Sequence, residues 1–132
     1  METNMKFESE RFVLGDVAET EDVGGGIVRQ IMGHNDDLML VRVRFAEGAI
    51  GYTHAHPLSQ LAYVESGVFD FTIGDETLTL KTGDCAYVRP DVEHGATCTD
   101  PAVLRDIVTP VREDYPQARV QSKSTANAGG CL

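Results

Sequence analysis

Alternation of apolar and polar residues at every second position is the feature that most constrains the fold of this chain. The odd positions of residues 39–45 are all apolar, and Arg42 and Arg44 lie between them. Residues 68–80 repeat the alternation on both sides of Gly74. A period of two is typical of half-buried strands, and two such runs joined by a short glycine-containing loop indicate a hairpin. Without any apolar stripe of helical period, the sequence predicts an all-β sandwich or barrel.

Turn residues divide the rest of the chain into further short strands. Segments bounded by Gly or Pro near residues 83–90 and 101–110 indicate strands, and residues 26–41 predict a hairpin with His34 in its solvated loop. We expect an edge strand near Phe12 and Val13. A chain of 132 residues fits one domain, which we place at residues 1–121. Residues 122–132 lack bulky apolar side chains and predict a flexible tail.

Composition and charge exclude several classes of partner. The net charge of −10 opposes binding to nucleic acid phosphates and to anionic membrane surfaces, so neither is an expected partner. No apolar run approaches the roughly 20 residues that span a bilayer, and the N-terminus is polar, so we expect a cytoplasmic protein. The three cysteines form no C-x-x-C pair and are odd in number, which favours free thiols.

Three histidines and a glutamine are candidate ligands of a metal. His54 and His56 are two residues apart, so on a strand both imidazoles point to the same side. Gln60 follows across a bend at Pro57, and His94 comes later. Imidazole nitrogens suit first-row transition metals. A single H-x-H pair is more often a hydrogen-bonded pair than a metal site, and Gln60 could equally be a polar residue that only lines a pocket.

The wider spacing resembles two motifs of the cupin superfamily. Residues 48–67 carry its first motif, with glycines at both ends around the His-x-His pair, and residues 83–98 carry its second, with His94 at the ligand position. The resemblance implies a small antiparallel jelly-roll barrel, or double-stranded β-helix, with one metal inside. It also implies the ligand set His54, His56, Gln60 and His94. Arg89 and Asp91 stand where many cupins have Pro and Gly.

Gln60 stands where most cupins have glutamate, and this bears on the chemistry. Three neutral histidines and an amide cancel none of the charge of a divalent ion, which favours polarising an anionic ligand over activating oxygen. Because nitrogen-rich ligation suits several metals, the identity of the ion is left open among Zn, Ni, Fe, Mn and Co.

The last predicted strand, residues 102–109, narrows the resemblance to the KdgF family of cupins. Asp106, Val108 and Arg112 stand where that family has an Asp, an aromatic residue and an Arg, so only the aromatic is missing. This resemblance implies an isomerase that opens and ketonises 4,5-unsaturated monouronates from pectin or alginate breakdown, giving linear sugars. By analogy with cupins we also expect a homodimer. A cupin dioxygenase and a non-catalytic sugar- or anion-binding cupin are the alternatives.

The resemblance also implies roles for the residues at this strand. Asp106 would move a proton, Arg112 would grip the substrate carboxylate, Val108 would contact the substrate, and Arg89 is a second candidate for binding the anion. Both faces of the strand carry apolar residues, so periodicity leaves open whether Asp106 faces the barrel interior. The alternative for Asp106 and Arg112 is a structural ion pair at the mouth of the barrel.

Overall fold

The computed structural model describes residues 8–109, which form ten strands and no helix. Consistent with this, no helix in the described part of the chain is long and apolar enough to cross a membrane. The all-β prediction is confirmed. The strands are β1 Glu21–Gly24, β2 Ile27–His34, β3 Met39–Phe45, β4 Ile50–His54, β5 Ser59–Ser66, β6 Val68–Ile73, β7 Glu76–Lys81, β8 Cys85–Val88, β9 His94–Thr97 and β10 Ala102–Thr109.

Two antiparallel sheets form a jelly-roll barrel. One sheet has six strands in the order β1-β2-β3-β10-β5-β8, and the other has four in the order β4-β9-β6-β7. The alternating apolar residues of β3 point inward and are buried, as their period requires. Phe45 of the larger sheet meets Phe69 of the smaller one edge to face, with ring centroids 4.9 Å apart. This contact joins the two sheets through the core.

The predicted hairpins are present, but the chain before them differs from expectation. Strands β2 and β3 pair directly, and β6 pairs with β7 around Gly74. His34 is a half-buried residue at the end of β2 rather than a solvated loop residue, and its N–H donates to Ser9 Oγ. No strand forms near Phe12, so that prediction is wrong. The backbone there is held instead by Gln30 Nε2, which donates to the carbonyls of residues 15 and 18.

Two glycines permit close approaches that position the ligand-bearing strands. Gly67 has a φ of +89°, and a Cβ there would lie 2.5 Å from the Cβ of Ala102. A Cβ on Gly95 would lie 2.8 Å from the carbonyl oxygen of Gly51. Because Gly95 follows His94 directly, this contact sets the spacing between β9 and β4. Larger side chains at either position would push neighbouring strands apart.

Several predictions fall partly or wholly beyond the described residues. Arg112, the proposed tail at residues 122–132 and Cys131 all lie outside residues 8–109. The other two cysteines are free, as expected: Cys98 is buried and Cys85 is exposed.

Candidate metal centre

The four predicted ligands converge inside one end of the barrel. His54 ends β4 and faces His94, the first residue of β9, as its direct strand partner. The candidate ligand nitrogens of these two residues and of His56 all lie within 4.8 Å of one another. Gln60 comes from β5 in the opposite sheet, and its Oε1 lies 2.9 Å from His56 Nε2 and 3.2 Å from His94 Nε2. Residues that are up to 40 positions apart in the sequence thus form one cluster.

Backbone carbonyls orient two of the imidazoles. His54 Nδ1 lies 3.1 Å from the carbonyl oxygen of Tyr52, and His94 Nδ1 lies 3.0 Å from that of Val92. A carbonyl only accepts, so Nδ1 carries the proton in both rings and the Nε2 lone pair is left for the centre of the cluster. Such partners commonly fix the tautomer of metal-binding histidines.

Burial favours the neutral form of two of the histidines, His56 and His94. Desolvation, reinforced by the nearby His54 and His56, lowers the pKa of His94 to about 4. Desolvation also lowers the pKa of His56, although the hydrogen bond to Gln60 opposes it. Ligand imidazoles must be deprotonated to bind a metal, so His56 and His94 are in the required protonation state near neutral pH.

The cluster has the donor set that a divalent transition ion requires. His94 Nε2 and Gln60 Oε1 both present lone pairs, and they lie 3.2 Å apart. Two acceptors at this distance repel each other unless a cation satisfies both. Metal–ligand bonds of about 2.0–2.2 Å place the donors of a tetrahedral site roughly 3.4 Å apart, close to the separations of 2.9 Å and 3.2 Å between Gln60 Oε1 and the two imidazoles. The residues therefore fit a metal held by three imidazole nitrogens and one amide oxygen.

The position of Asp106 gives a physical reason for an amide rather than a carboxylate at the fourth candidate ligand, Gln60. Gln60 Nε2 donates to Asp106 Oδ1 at 3.2 Å, which turns Gln60 Oε1 toward the histidines. Both residues are almost fully buried, with exposed fractions of 1% and 0%. A glutamate at position 60 would set two carboxylates against each other in a water-poor interior, which is strongly unfavourable. The amide lets a carboxylate lie next to the ligand shell.

Asp106 faces the interior, which periodicity alone had left open. Leu104, Asp106 and Val108 are all buried, while Arg105 and Ile107 are exposed on the other face of β10. Burial raises the pKa of Asp106 to about 7, and the hydrogen bond from Gln60 partly opposes this. Its second oxygen, Oδ2, is buried without a hydrogen-bond partner among the described residues. This carboxyl can therefore exchange a proton near neutral pH.

The remaining predicted site residues lie at different distances from this cluster. Val108 is buried and pairs across the strands with Gln60 and with Met39, so it lines the interior beside the ligands. Arg89 is exposed and follows Val88, the partner of Gln60 on β8. It therefore lies at the same end of the barrel, outside the buried cluster.

The structure adds one residue that the sequence reasoning did not assign. Asp91 has a φ of +67°, and its N–H donates to the carbonyl oxygen of His56 at 2.8 Å. The turn is closed by the Val92 N–H, which lies 3.3 Å from the Arg89 carbonyl oxygen. A proline followed by a residue with positive φ is the pattern of a type II turn. The sequence did carry a signal for this turn, which binds the backbone of His56. The signal was Pro90 followed by a position where many cupins have glycine.

Comparison with known proteins gives concordant results. The family described as Cupin domain matches residues 41–108. The pectin degradation protein KdgF of Dickeya dadantii (strain 3937) is 40% identical over 107 residues, covering 80% of this chain and 97% of that protein.

Solved structures agree with this. An RmlC-like cupin from Shewanella frigidimarina NCIMB 400 is 44% identical with a TM-score of 0.78, covering 82% of this chain and 97% of that one. KdgF from Halomonas sp. is 33% identical with a TM-score of 0.75, and the match covers 80% of this chain and 98% of that one.

Proposed function

The chain belongs to the cupin domain family, in the group of the KdgF proteins, and from that premise we propose that it is a metal-dependent enzyme of pectin degradation. Its substrates are 4,5-unsaturated monouronates from pectin or alginate breakdown, and its products are linear ketonised sugars. The observation that carries the proposal is a buried carboxyl, Asp106, hydrogen-bonded to the amide of Gln60 beside three converging histidines.

Opening the ring of an unsaturated uronate requires a proton to reach a carbon of the enol ether while charge develops on oxygen. A divalent ion of Zn, Ni, Fe, Mn or Co, held by His54, His56, Gln60 and His94, would supply Lewis acidity toward the substrate oxygens. Asp106 transfers the proton. Its raised pKa of about 7 lets it both take and give a proton at working pH, and Oδ2 is its available atom.

The anionic substrate must also be held against the net charge of −10. We propose that Arg112 clamps the carboxylate through its planar guanidinium and that exposed Arg89, at the same end of the barrel, is a second contact. Val108 lines the interior beside Gln60. Because valine is smaller than the aromatic residue of the family, it leaves more room for the sugar and gives no ring to stack on it.

The proposal includes a cytoplasmic location and a homodimer. Two free thiols, Cys85 and Cys98, fit a reducing compartment. Large apolar side chains exposed on the six-stranded sheet fit association with a second copy.

The test is an assay on the purified, metal-loaded protein. Unsaturated monouronates are generated with a pectate or alginate lyase, and the absorbance of the conjugated double bond is followed with and without the protein. We expect loss of absorbance well above the spontaneous rate. An unchanged rate would overturn the proposal. Oxygen consumption with turnover would point to a dioxygenase instead, and substrate binding without turnover to a sugar-binding cupin.

A further inference from the structure

Three of the four histidines bind the backbone carbonyl two residues earlier in the chain through Nδ1. The distance from Nδ1 to the carbonyl oxygen is 2.8 Å for His34, 3.1 Å for His54 and 3.0 Å for His94. A carbonyl oxygen only accepts, so each of these rings in its neutral form carries its proton on Nδ1. The backbone therefore fixes which ring nitrogen is protonated, and Nε2 keeps its lone pair.

His56 lacks this support from the backbone. Its Nδ1 is buried and has no hydrogen-bond partner among residues 8–109. His56 lies between β4 and β5, outside both strands, and the carbonyl two residues before it belongs to the last residue of β4. The backbone at His56 and Leu58 affects the pKa of the ring, but no described atom there meets Nδ1 in hydrogen-bond geometry. A buried N–H without an acceptor is costly, so these surroundings disfavour a proton on Nδ1.

The other ring nitrogen of His56 has a partner. His56 Nε2 lies 2.9 Å from Gln60 Oε1, and the same oxygen lies 3.2 Å from His94 Nε2. Because the proton of His94 is on Nδ1, its Nε2 cannot donate to the amide oxygen. His56 is therefore the ring that donates to Gln60, and its proton lies on Nε2. His56 and His94 thus hold opposite tautomers, although both are candidate ligands of one ion.

A metal ion needs the atom of His56 that carries this proton. His56 Nε2 faces the amide oxygen of Gln60, so it is the nitrogen that an ion in the cluster would bind. A ligand nitrogen must be unprotonated. The proton on Nε2 therefore leaves to solvent while Nδ1 takes one from solvent, so that the ring stays neutral and no net proton is released. His54 and His94 need no such change, because their protons are already on Nδ1.

We propose that metal binding switches the tautomer of His56 alone and that His56 is the weakest of the three imidazole ligands. The proton that moves to Nδ1 finds no acceptor among the described residues, whereas carbonyls bind the Nδ1–H groups of His54 and His94. Partners of this kind contribute about 10–100-fold to metal affinity. The proposal compares the ligands of the site with one another, so its test is independent of the reaction proposed above.

Nitrogen NMR of the histidine side chains tests the switch, because long-range proton–nitrogen correlations show which ring nitrogen is protonated. Spectra of the full chain are recorded free of metal and then with stoichiometric zinc. We expect His56 to change from Nε2–H to Nδ1–H, while His54 and His94 keep Nδ1–H. His34 is the internal control, since its Nδ1 binds the carbonyl of Met32. A His56 ring that has Nδ1–H without zinc, or keeps Nε2–H with zinc, overturns the proposal.

The zinc affinity of matched variants tests the rank of the ligands. In competition with a chelator, His56→Gln should lose about 10–100-fold less affinity than His94→Gln, because the carbonyl of Val92 supports only the latter ring. His54→Gln is a second comparison with the same expected direction, and circular dichroism verifies that each variant is folded. A loss in His56→Gln that equals or exceeds that of either comparison variant overturns the proposal. Where a variant does not fold, the tautomers of the wild-type chain decide.

Discussion

Two carboxylates on neighbouring strands show how strongly the two faces of one sheet differ in their effect on the pKa of a carboxyl group. Asp106 on β10 points into the barrel, and Glu65 on β5, the strand paired with β10, points outward. Burial raises the pKa of Asp106 to about 7. Hydrogen bonds and charge from Arg42 and Arg105 lower the pKa of Glu65 to about 2. Alternation along neighbouring strands thus places a carboxyl with a raised pKa on one side of the sheet and a carboxylate with a lowered pKa on the other.

The partners of each group explain the difference. Asp106 receives one neutral hydrogen bond, from Gln60 at 3.2 Å, and has no nearby guanidinium among the described residues. Glu65 accepts from Arg42 at 2.9 Å and 2.7 Å and from Arg105 at 3.0 Å. A carboxylate removed from water without a cation stays protonated to higher pH, whereas one fixed by two cations stays charged to lower pH. The interior arrangement leaves a carboxyl that titrates near neutral pH, and the exterior one fixes a charged carboxylate.

The largest expected effect comes from removing the interior carboxyl. Asp106→Asn keeps an oxygen that can accept from Gln60 Nε2, so the ligand amide stays oriented while the titrating group is lost. Loss of a general acid–base group typically costs about 10²–10⁴-fold in rate. We expect kcat/KM on unsaturated monouronates to fall by that factor while the metal content, measured by elemental analysis, is unchanged. Activity within tenfold of the wild type would show that Asp106 does not transfer the proton.

Asp106→Asn should also change the pH dependence of stability in the metal-free protein. A carboxyl whose pKa is raised from 3.8 to about 7 binds more protons folded than unfolded between these values. Its contribution to stability is therefore lost as the pH rises from about 4 to about 7. The variant should lack this loss and be more stable than the wild type at pH 8 in chemical denaturation. Equal pH profiles would mean that Asp106 is charged in the folded protein at neutral pH.

The next largest effect is expected from Gln60→Glu. A second carboxylate near Asp106 Oδ1, where the amide nitrogen now lies 3.2 Å away, forces one of the two acids to stay protonated. We expect tighter metal binding in a chelator competition, because the ligand gains charge, together with at least a tenfold loss of kcat at pH 7. The double variant Gln60→Glu with Asp106→Asn should keep the tight metal binding and relieve the repulsion. A single variant with full activity would show that the amide is not required beside Asp106.

On the outward face of the six-stranded sheet, Glu65→Gln should affect stability without affecting turnover. Charged hydrogen bonds to the two arginines are lost, which costs about 1.5–3 kcal/mol in the free energy of unfolding at pH 7. The pKa of Glu65 is lowered from 4.5 to about 2, so its stabilisation is complete above pH 4.5 and is lost as the pH falls toward 2. The difference from the wild type in urea unfolding, at one fixed protein concentration, should therefore shrink in acid. A difference that persists at pH 2 would contradict this account.

Much of the fold could be predicted from the sequence because it depends on local periodicity, and the convergence of the four candidate ligands followed from the resemblance to the cupin motifs. Alternation in β3 and in the β6–β7 hairpin predicted those strands. His54 and His56 do converge, although β4 ends at His54 and His56 lies just beyond it. The edge strand near Phe12 was predicted from its apolar residues alone. It does not form because Gln30, a polar residue 18 positions later, binds that backbone with its side chain.

The features that could not be predicted from the sequence depend on contacts between residues that are far apart in the chain. Whether Asp106 points inward depends on which face of β10 meets Gln60. Because both faces of β10 carry apolar residues, the sequence pattern does not show which face is buried. The amide at position 60 is explained only by a hydrogen bond spanning 46 positions. The positive φ of Asp91 is a property of a turn whose N–H binds His56, and only a departure from the cupin motif marked it.

The smallest expected effect distinguishes the two arginines that hold Glu65. Arg42 donates twice and its side chain is 28% exposed, whereas Arg105 donates once, is 49% exposed and lies 5.7 Å from the centre of the Tyr63 ring. More exposed ion pairs contribute less, so Arg105→Gln should cost only about 0.2–1 kcal/mol in the free energy of unfolding. Arg42→Gln should cost more, because it removes a bidentate pair from a more shielded position. Urea unfolding of both variants at matched concentration measures the difference. Equal losses in the free energy of unfolding for the two variants would mean that solvent exposure does not determine how strongly each arginine binds Glu65. The difference in pKa between Glu65 and Asp106 would then depend on the number of neighbouring cations alone.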